Sequence, residues 1–280
     1  MSPQKIGILH PGEMGISIAA SAQNSGNSLS WVSTGRSAAT RARAEKYGLQ
    51  DTETLDSLCA QCAAIICICP PHAAEEIAHQ VIECGFTGIY LDANAISPRR
   101  VGQIAQEVNA AGASFVDGGI IGGPAWKPDS TWLYLTGPRA QEAADFFSAG
   151  PLVTNVLGDA IGKASALKMC FSAYSKGTTA LLAAVLGAAE ALGVRDDLNR
   201  QWAQGNANFP ASAAERVRGS TAKAWRFSGE MEEIAVTFQD AGLPGNFHAA
   251  AAEIYERLAQ FKDAPQLPQL EDVLAAILGG

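Results

Sequence analysis

The chain has 280 residues, 48% of them hydrophobic and 17% charged, which describes a packed globular protein long enough for two modest domains and excludes a disordered one. Its 28 acidic and 20 basic residues leave a formal charge of −8 with no basic cluster, so charge offers no footprint for a nucleic-acid partner. The N-terminus holds one short apolar run, and no apolar stretch approaches ~20 residues, so the expectation is a cytoplasmic chain without signal peptide or membrane span.

Residues 5–9 (KIGIL) read as a short strand that runs into glycines and then a helix from about Met14. A second strand at 29–33 (LSWVS) is followed by an Ala- and Arg-rich helix at 38–47. The run AAIICIC (63–69) predicts a strand buried on both faces and ended by Pro70-Pro71. Strands at 89–94 and 113–119 follow, with helices at 72–84 and 97–111 between them. This alternation implies parallel strands joined by crossovers, a doubly wound and mainly parallel sheet. Segments 131–137 and 152–158 are expected as edge strands. Beyond residue 160 the pattern changes. One long helix is predicted from Gly162 to Gly193, then further helices broken at Pro210, at 242–244 and at 265–268. The expected organisation is an α/β domain over 1–160 and an all-α substrate and dimerisation domain over 161–280.

Six cysteines include the C-x-x-C pair Cys59 and Cys62, followed by Cys67 and Cys69. Two of these sit in the buried strand, where free cysteine behaves as a small hydrophobe. We read them as core residues and expect no metal.

The loop His10-Pro11-Gly12-Glu13-Met14-Gly15 follows a strand and opens a helix. That is the context of the dinucleotide fingerprint, whose glycines make the turn, admit the pyrophosphate and pack the helix on the sheet. Gly12 and Gly15 fit the second and third positions, while His10 stands at the first. This predicts a Rossmann-type domain with cofactor contacts at His10, Pro11, Gly12, Glu13 and Met14. At the end of the second strand, Ser33-Thr34-Gly35-Arg36-Ser37 has no carboxylate to hold a ribose 2′-hydroxyl. Arg36 suits a 2′-phosphate, with hydroxyls from Ser33, Thr34 and Ser37, so the expected cofactor is NADP(H).

These residues resemble the β-hydroxyacid dehydrogenase family, which includes 6-phosphogluconate dehydrogenase. The resemblance rests on Gly12-Glu13-Met14-Gly15, on Asp92-Ala93-Asn94-Ala95-Ile96-Ser97-Pro98, on Asp117-Gly118-Gly119-Ile120-Ile121-Gly122-Gly123 and on Gly162-Lys163-Ala164-Ser165-Ala166-Leu167-Lys168, in that order. It implies further cofactor contacts at Cys69, Pro70 and Asn94, and Lys168 as the catalytic lysine exchanging a proton with the substrate hydroxyl. Ser172 stands where the family usually has an asparagine, and Ile121 where a serine helps hold a substrate carboxylate. Backbone amides at Gly122 and Gly123 remain for an anion. Ile120, Ile121 and Trp126 make that wall apolar, so the expected small-molecule substrate is bulkier or less polar than a simple hydroxy acid. Trp225, Arg226, Glu230, Glu233 and His248 are candidates for a second wall. The resemblance also implies a homodimer through the helical domain. Two alternatives stand beside this reading: reduction of a C=N bond, as in imine reductases, and a non-catalytic NADP-binding sensor.

Overall fold

A computed structural model describes residues 3–279. The chain divides into two compact units, 1–169 and 170–280. Among the described residues no helix is long and apolar enough to cross a membrane.

The first unit is built on an eight-stranded sheet: β1 (Lys5–Leu9), β2 (Ser28–Trp31), β3 (Gln50–Asp51), β4 (Ala64–Cys67), β5 (Ile89–Asp92), β6 (Ser114–Gly122), β7 (Thr131–Thr136) and β8 (Val153–Val156). Their order across the sheet is β3-β2-β1-β4-β5-β6-β7-β8. All neighbours run parallel except β6 and β7, which are antiparallel. Six helices complete the unit: α1 (Glu13–Asn24), α2 (Ala38–Lys46), α3 (Leu55–Gln61), α4 (Ala74–Glu83), α5 (Pro98–Ala110) and α6 (Ala140–Asp145). The central strands are apolar throughout because alternate residues enter cores on opposite faces. Ile66, Leu91 and Val116 join one core, and Ile65, Tyr90 and Phe115 the other. Strand order reverses direction between β1 and β4, and a crevice outside the strand C-termini at such a point is where α/β sheets bind ligands.

Three details differ from the expectation. β7 is not an edge strand: it lies between β6 and β8, with Leu133 and Leu135 fully buried, and only β8 forms that edge. The two-residue β3 and the seven-residue α3 have no periodic pattern to announce them, although Thr54 caps α3 by accepting from the Ser57 amide. The unit boundary falls inside the long helix α7 (Lys163–Ala191), after Met169, rather than at residue 160. Its first turns are hydrogen-bonded to the sheet, as described below.

The second unit is helical. After α7 come α8 (Arg195–Gly205), α9 (Phe209–Ser220), α10 (Ala224–Asp240), α11 (Asn246–Arg257) and α12 (Leu270–Leu278). Pro210 does not break a helix but starts one, in the first turn of α9, where its missing N–H costs nothing. Tyr255 of α11 is fully buried and its hydroxyl donates to the Lys176 carbonyl at 2.8 Å.

Candidate active site

β1 delivers the chain to the glycine loop. His10 adopts a left-handed conformation, with φ 66°, and its carbonyl accepts from the Gly12 amide at 2.7 Å. Histidine tolerates this region better than most residues, so it makes the turn in place of a glycine. Gly12 is the N-cap of α1. A Cβ on Gly15 would come within 2.5 Å of the His10 carbonyl oxygen, so that glycine is required by packing. A Cβ on Gly12 would meet nothing nearer than 3.9 Å. Nothing inside the protein needs Gly12 to be a glycine, whereas a pyrophosphate approaching the helix N-terminus would. Pro11 is buried and its carbonyl accepts from Arg43 at 3.2 Å. Glu13 is exposed, while Met14 packs against the core.

Beside this loop lies a cleft of about 250 Å³ whose lining includes Leu9, His10, Val32, Thr34, Arg36 and Gln80. His10 Nδ1 and Arg36 Nε are both buried there without a hydrogen-bond partner. Burial, then the Arg36 charge, pushes the His10 imidazole down to about 4, against a backbone hydrogen bond at Leu9 that works the other way. The three hydroxyls expected to help Arg36 have other work. Ser37 caps α2 by accepting from the Thr40 amide. Thr34 Oγ1 donates to the Glu53 carbonyl at 2.6 Å, and the Ser33 amide and hydroxyl both bond Asp51. They shape the loop and leave Arg36 as its charged group toward the cleft.

At the ends of β4 and β5, Asn94 is buried. Its Oδ1 accepts from the Cys69 amide at 2.6 Å, and its Nδ2 lies 3.5 Å from Cys67 Sγ. Asn94 is thus a brace between two loops, and the Cys69 amide is taken up by it. Pro70 is exposed next to them. Asp92, buried beside this brace, was legible as part of a motif but not as an ionisable group of interest. Its Oδ1 accepts from the Asn94 amide, Oδ2 is buried without a partner, and burial above all pushes the carboxyl up to about 7.

The β6–α7 junction carries Lys168. Asp117 stands opposite Asp92 in the sheet register. Its Oδ2 accepts from the amides of Gly162 (2.9 Å), Ala164 (3.1 Å) and Ser165 (3.2 Å) and from Thr136 Oγ1 (3.0 Å). Its Oδ1 accepts from Ser165 Oγ at 2.6 Å. A carboxylate at a helix N-terminus satisfies orphan amides and complements the helix dipole, so Asp117 fixes where α7 starts. Two residues on, and therefore on the same face of β6, a Cβ at Gly119 would come within 2.6 Å of the Ala164 carbonyl oxygen and 3.2 Å of Lys168 Cβ. The bare glycine lets the helix seat Lys168 against the strand. Ile121, two residues further, continues that face and is buried.

Gly122 (φ 117°) is crowded, since a Cβ would meet the Ser130 carbonyl oxygen at 2.3 Å. Gly123 is exposed and meets nothing within 4 Å. Both glycines expected to present amides are exposed, and only Gly123 has room for a side chain. Trp126 belongs elsewhere. It stacks on Tyr47 with ring centroids 5.2 Å apart, and both rings line a second cleft of about 550 Å³ with Glu13 and Arg43. The Ala125 amide donates to Ser17 Oγ, which ties this loop to α1.

In the second unit, Ser172 is buried one turn beyond Lys168 on α7. Glu230 forms an ion pair with Lys176, whose ammonium lies 4.8 Å from the centre of the Phe227 ring. Trp225 lies under Lys262. His248 is buried against Phe238 and Phe247, with Nδ1 unpartnered.

Residues 5–149 match the NAD binding domain of 6-phosphogluconate dehydrogenase, and residues 189–258 match a domain of unknown function, DUF1932. An uncharacterized 28.5 kDa protein of Methanothermus fervidus, from the 7S RNA 5′ region, is 30% identical over 164 residues, covering 59% of this chain and 62% of its own. A conserved protein of unknown function, described as structurally similar to 3-hydroxyacid dehydrogenases, is 28% identical with a TM-score of 0.66, over 91% of this chain and 97% of its own. Mycobacterium tuberculosis 3-hydroxyisobutyrate dehydrogenase, solved with L-serine, shares the fold at 16% identity and a TM-score of 0.71, over 98% and 99% of the two chains.

Proposed function

The chain belongs to the family defined by the NAD binding domain of 6-phosphogluconate dehydrogenase, and from that membership we propose an NADP(H)-dependent oxidoreductase that interconverts a hydroxyl and a carbonyl on a small, partly apolar, hydroxy-acid-like substrate. The observation that carries the reading is the pairing of two features on one sheet edge. Gly12 leaves open space at the α1 N-terminus, and Asp117 and Gly119 seat Lys168 against β6.

The residues present fit a dinucleotide. Gly12 and the α1 N-terminus would hold the pyrophosphate, and Arg36 the 2′-phosphate that favours NADP(H) over NAD(H). When bound, the nicotinamide supplies or accepts the electron pair that separates alcohol from carbonyl. The chain's own part is positional and acid–base. Lys168 Nζ gives a proton to the carbonyl oxygen during reduction and takes it from the hydroxyl during oxidation. Gly123 offers a backbone amide to a substrate carboxylate, and Ile121 excludes water and favours an apolar substituent. Ser172 extends the polar face of α7 beyond Lys168.

We place the reaction in the cytoplasm, since Cys59, Cys62 and Cys67 pack as buried thiols, which suits a reducing compartment. We also propose a homodimer. Phe171, Tyr174 and Leu181 are exposed apolar residues of α7, with spacing that places them on one side of the helix.

The test is a fluorescence titration with NADPH and NADH, followed by a screen of 3-hydroxy acids and their oxo counterparts. NADPH is expected to bind at least ~10-fold tighter, with most of the gap lost in Arg36→Ala. Lys168→Ala should keep that affinity and lose at least ~100-fold in kcat. Binding of neither nucleotide would sink the oxidoreductase reading, turnover unchanged in Lys168→Ala would sink the role of the lysine, and sedimentation as a monomer would sink the dimer.

A further inference from the structure

The first position of the glycine loop holds a side chain where the fold needs none. We propose that His10 reads the dinucleotide's 2′-phosphate together with Arg36, so that NADP(H) enters with a proton and NAD(H) does not. This rests on the NADP(H) reading above and names a second reader for the group that distinguishes the two cofactors.

The geometry is local to one cleft. His10 reaches it from the end of β1 and Arg36 from the loop after β2, and each has a buried nitrogen with no protein partner. Two buried polar groups left unpaired, one of them on a left-handed residue where glycine is favoured, would persist only at a cost in stability. A phosphate monoester repairs both. It carries about −1.5 to −2 charges and three acceptor oxygens, enough for the guanidinium fork and one more donor. A protonated imidazole donates from both nitrogens, whereas a neutral one donates from one.

The direction of the proton follows from the charges. Arg36 faces the imidazole and is itself partly buried, which disfavours its charge in the empty cleft. Thr34, Thr54 and Gln80 complete the polar lining without charge. In the free protein, burial and Arg36 therefore keep His10 neutral near pH 7. A dianion placed between the two bases cancels the repulsion from Arg36 and favours the imidazolium. Binding then draws a proton from solvent.

The pyrophosphate, held at Gly12, is the other phosphate within reach of this loop, and the choice of probes separates the two. NADPH and 2′,5′-ADP carry the 2′-phosphate, whereas NADH and 5′-ADP carry only the pyrophosphate. The experiment is calorimetric titration of the full chain with all four, between about pH 6 and pH 8, in buffers of different ionisation heat. His10→Asn serves as the variant because asparagine tolerates left-handed backbone. NADPH and 2′,5′-ADP are expected to bind with uptake of a substantial fraction of a proton that depends on His10, NADH with none, and 5′-ADP with only the linkage of its own terminal phosphate. In His10→Asn the His10-dependent uptake should vanish, and NADPH affinity at about pH 6.5 should fall ~5- to 10-fold more than NADH affinity. The ligand phosphates' own titration is common to wild type and variant, so the His10 contribution is the difference between the two. Proton uptake with NADH as well would move His10 to the pyrophosphate and overturn the inference. No uptake with NADPH, together with a retained preference for NADPH, would overturn it and leave Arg36 as the reader. Equal affinity for NADPH and NADH in the wild-type chain would overturn both this inference and the NADP(H) reading. The buffer comparison on the wild-type chain keeps the test decisive if the variant fails to fold.

Discussion

At the β1 end of the sheet, a methyl group on Gly12 would meet nothing closer than 3.9 Å, whereas at the β6 end one on Gly119 would press to 2.6 Å from the Ala164 carbonyl oxygen. Both glycines lie in segments that resemble one family, yet they are glycines for opposite reasons. The β1 end leaves polar groups unpaired, with His10 Nδ1 and Arg36 Nε facing a cleft. The β6 end leaves none of its Asp117 oxygens idle, since five donors converge on them. The difference teaches where a ligand is needed to complete the structure and where the protein completes itself. One end is shaped to receive the cofactor, and the other is a fixed joint that aims a lysine.

The largest expected effect is at that joint. Asp117→Ala removes the acceptor of three amides at the start of α7 and of two hydroxyls, leaving buried donors without partners. A loss of ~3–5 kcal/mol is expected, read as a lower urea midpoint. Activity should fall in whatever fraction stays folded, because the start of the lysine helix is no longer defined. A loss below ~1 kcal/mol would mean that packing alone positions α7 and that the joint is no more fixed than the β1 end.

Asp92 stands between the two ends and shows a smaller effect with a pH signature. Its folded carboxyl is raised to about 7, from 3.8. The folded state therefore holds a proton that the unfolded chain has released, and stability falls as pH rises between about 4 and about 7. Asp92→Asn keeps an oxygen for the Asn94 amide and removes the titration. Its urea midpoint should match the wild type near pH 4 and exceed it near pH 8, by roughly 1–3 kcal/mol once converted. An unchanged slope in the variant would assign the pH dependence to other groups.

Much of this architecture is legible in the residues because the central strands are buried on both faces. Runs such as Ala64–Cys67 and Ile89–Asp92 stay apolar whatever side they show, and they announce a parallel sheet. The two-residue, exposed β3 has no such signature, and β7 reads as an edge strand because its burial depends on β8, nearly twenty residues further on. The candidate site divides in the same way. Glycines in a local loop reveal a cradle, but which glycine the protein itself requires depends on what packs against it. Asn94 stands in a motif that implies a cofactor contact, and its brace to the Cys69 amide, supplied by another loop, has no local signature. Asp117 reaches its partners across more than forty residues, and no local pattern encodes that reach. Trp126 follows the paired glycines closely in sequence, yet it stacks on Tyr47 of the α2 end.

The sharpest way to break the comparison between the two ends is also the smallest change to the chain, one methyl group at each. Gly119→Ala pushes a Cβ against backbone that cannot swing aside, since Ala164 belongs to the first turn of α7 beside the Asp117 clamp. A destabilisation of ~1–3 kcal/mol is expected from overpacking, with kcat falling more than cofactor affinity. Gly12→Ala places its Cβ in open space at φ −67°, a value that alanine accepts. Its stability should stay within ~0.5 kcal/mol of the wild type, or rise slightly because the unfolded chain loses freedom. NADPH affinity should nevertheless fall by at least ~10-fold, because the methyl group occupies the approach of the pyrophosphate. Measured together by urea titration and nucleotide binding, the two variants should exchange signatures, one losing stability and the other losing ligand. If Gly12→Ala instead destabilised the fold and bound NADPH unchanged, the β1 end would be a packed turn like the β6 end, and the cradle would have to be sought elsewhere on the sheet edge.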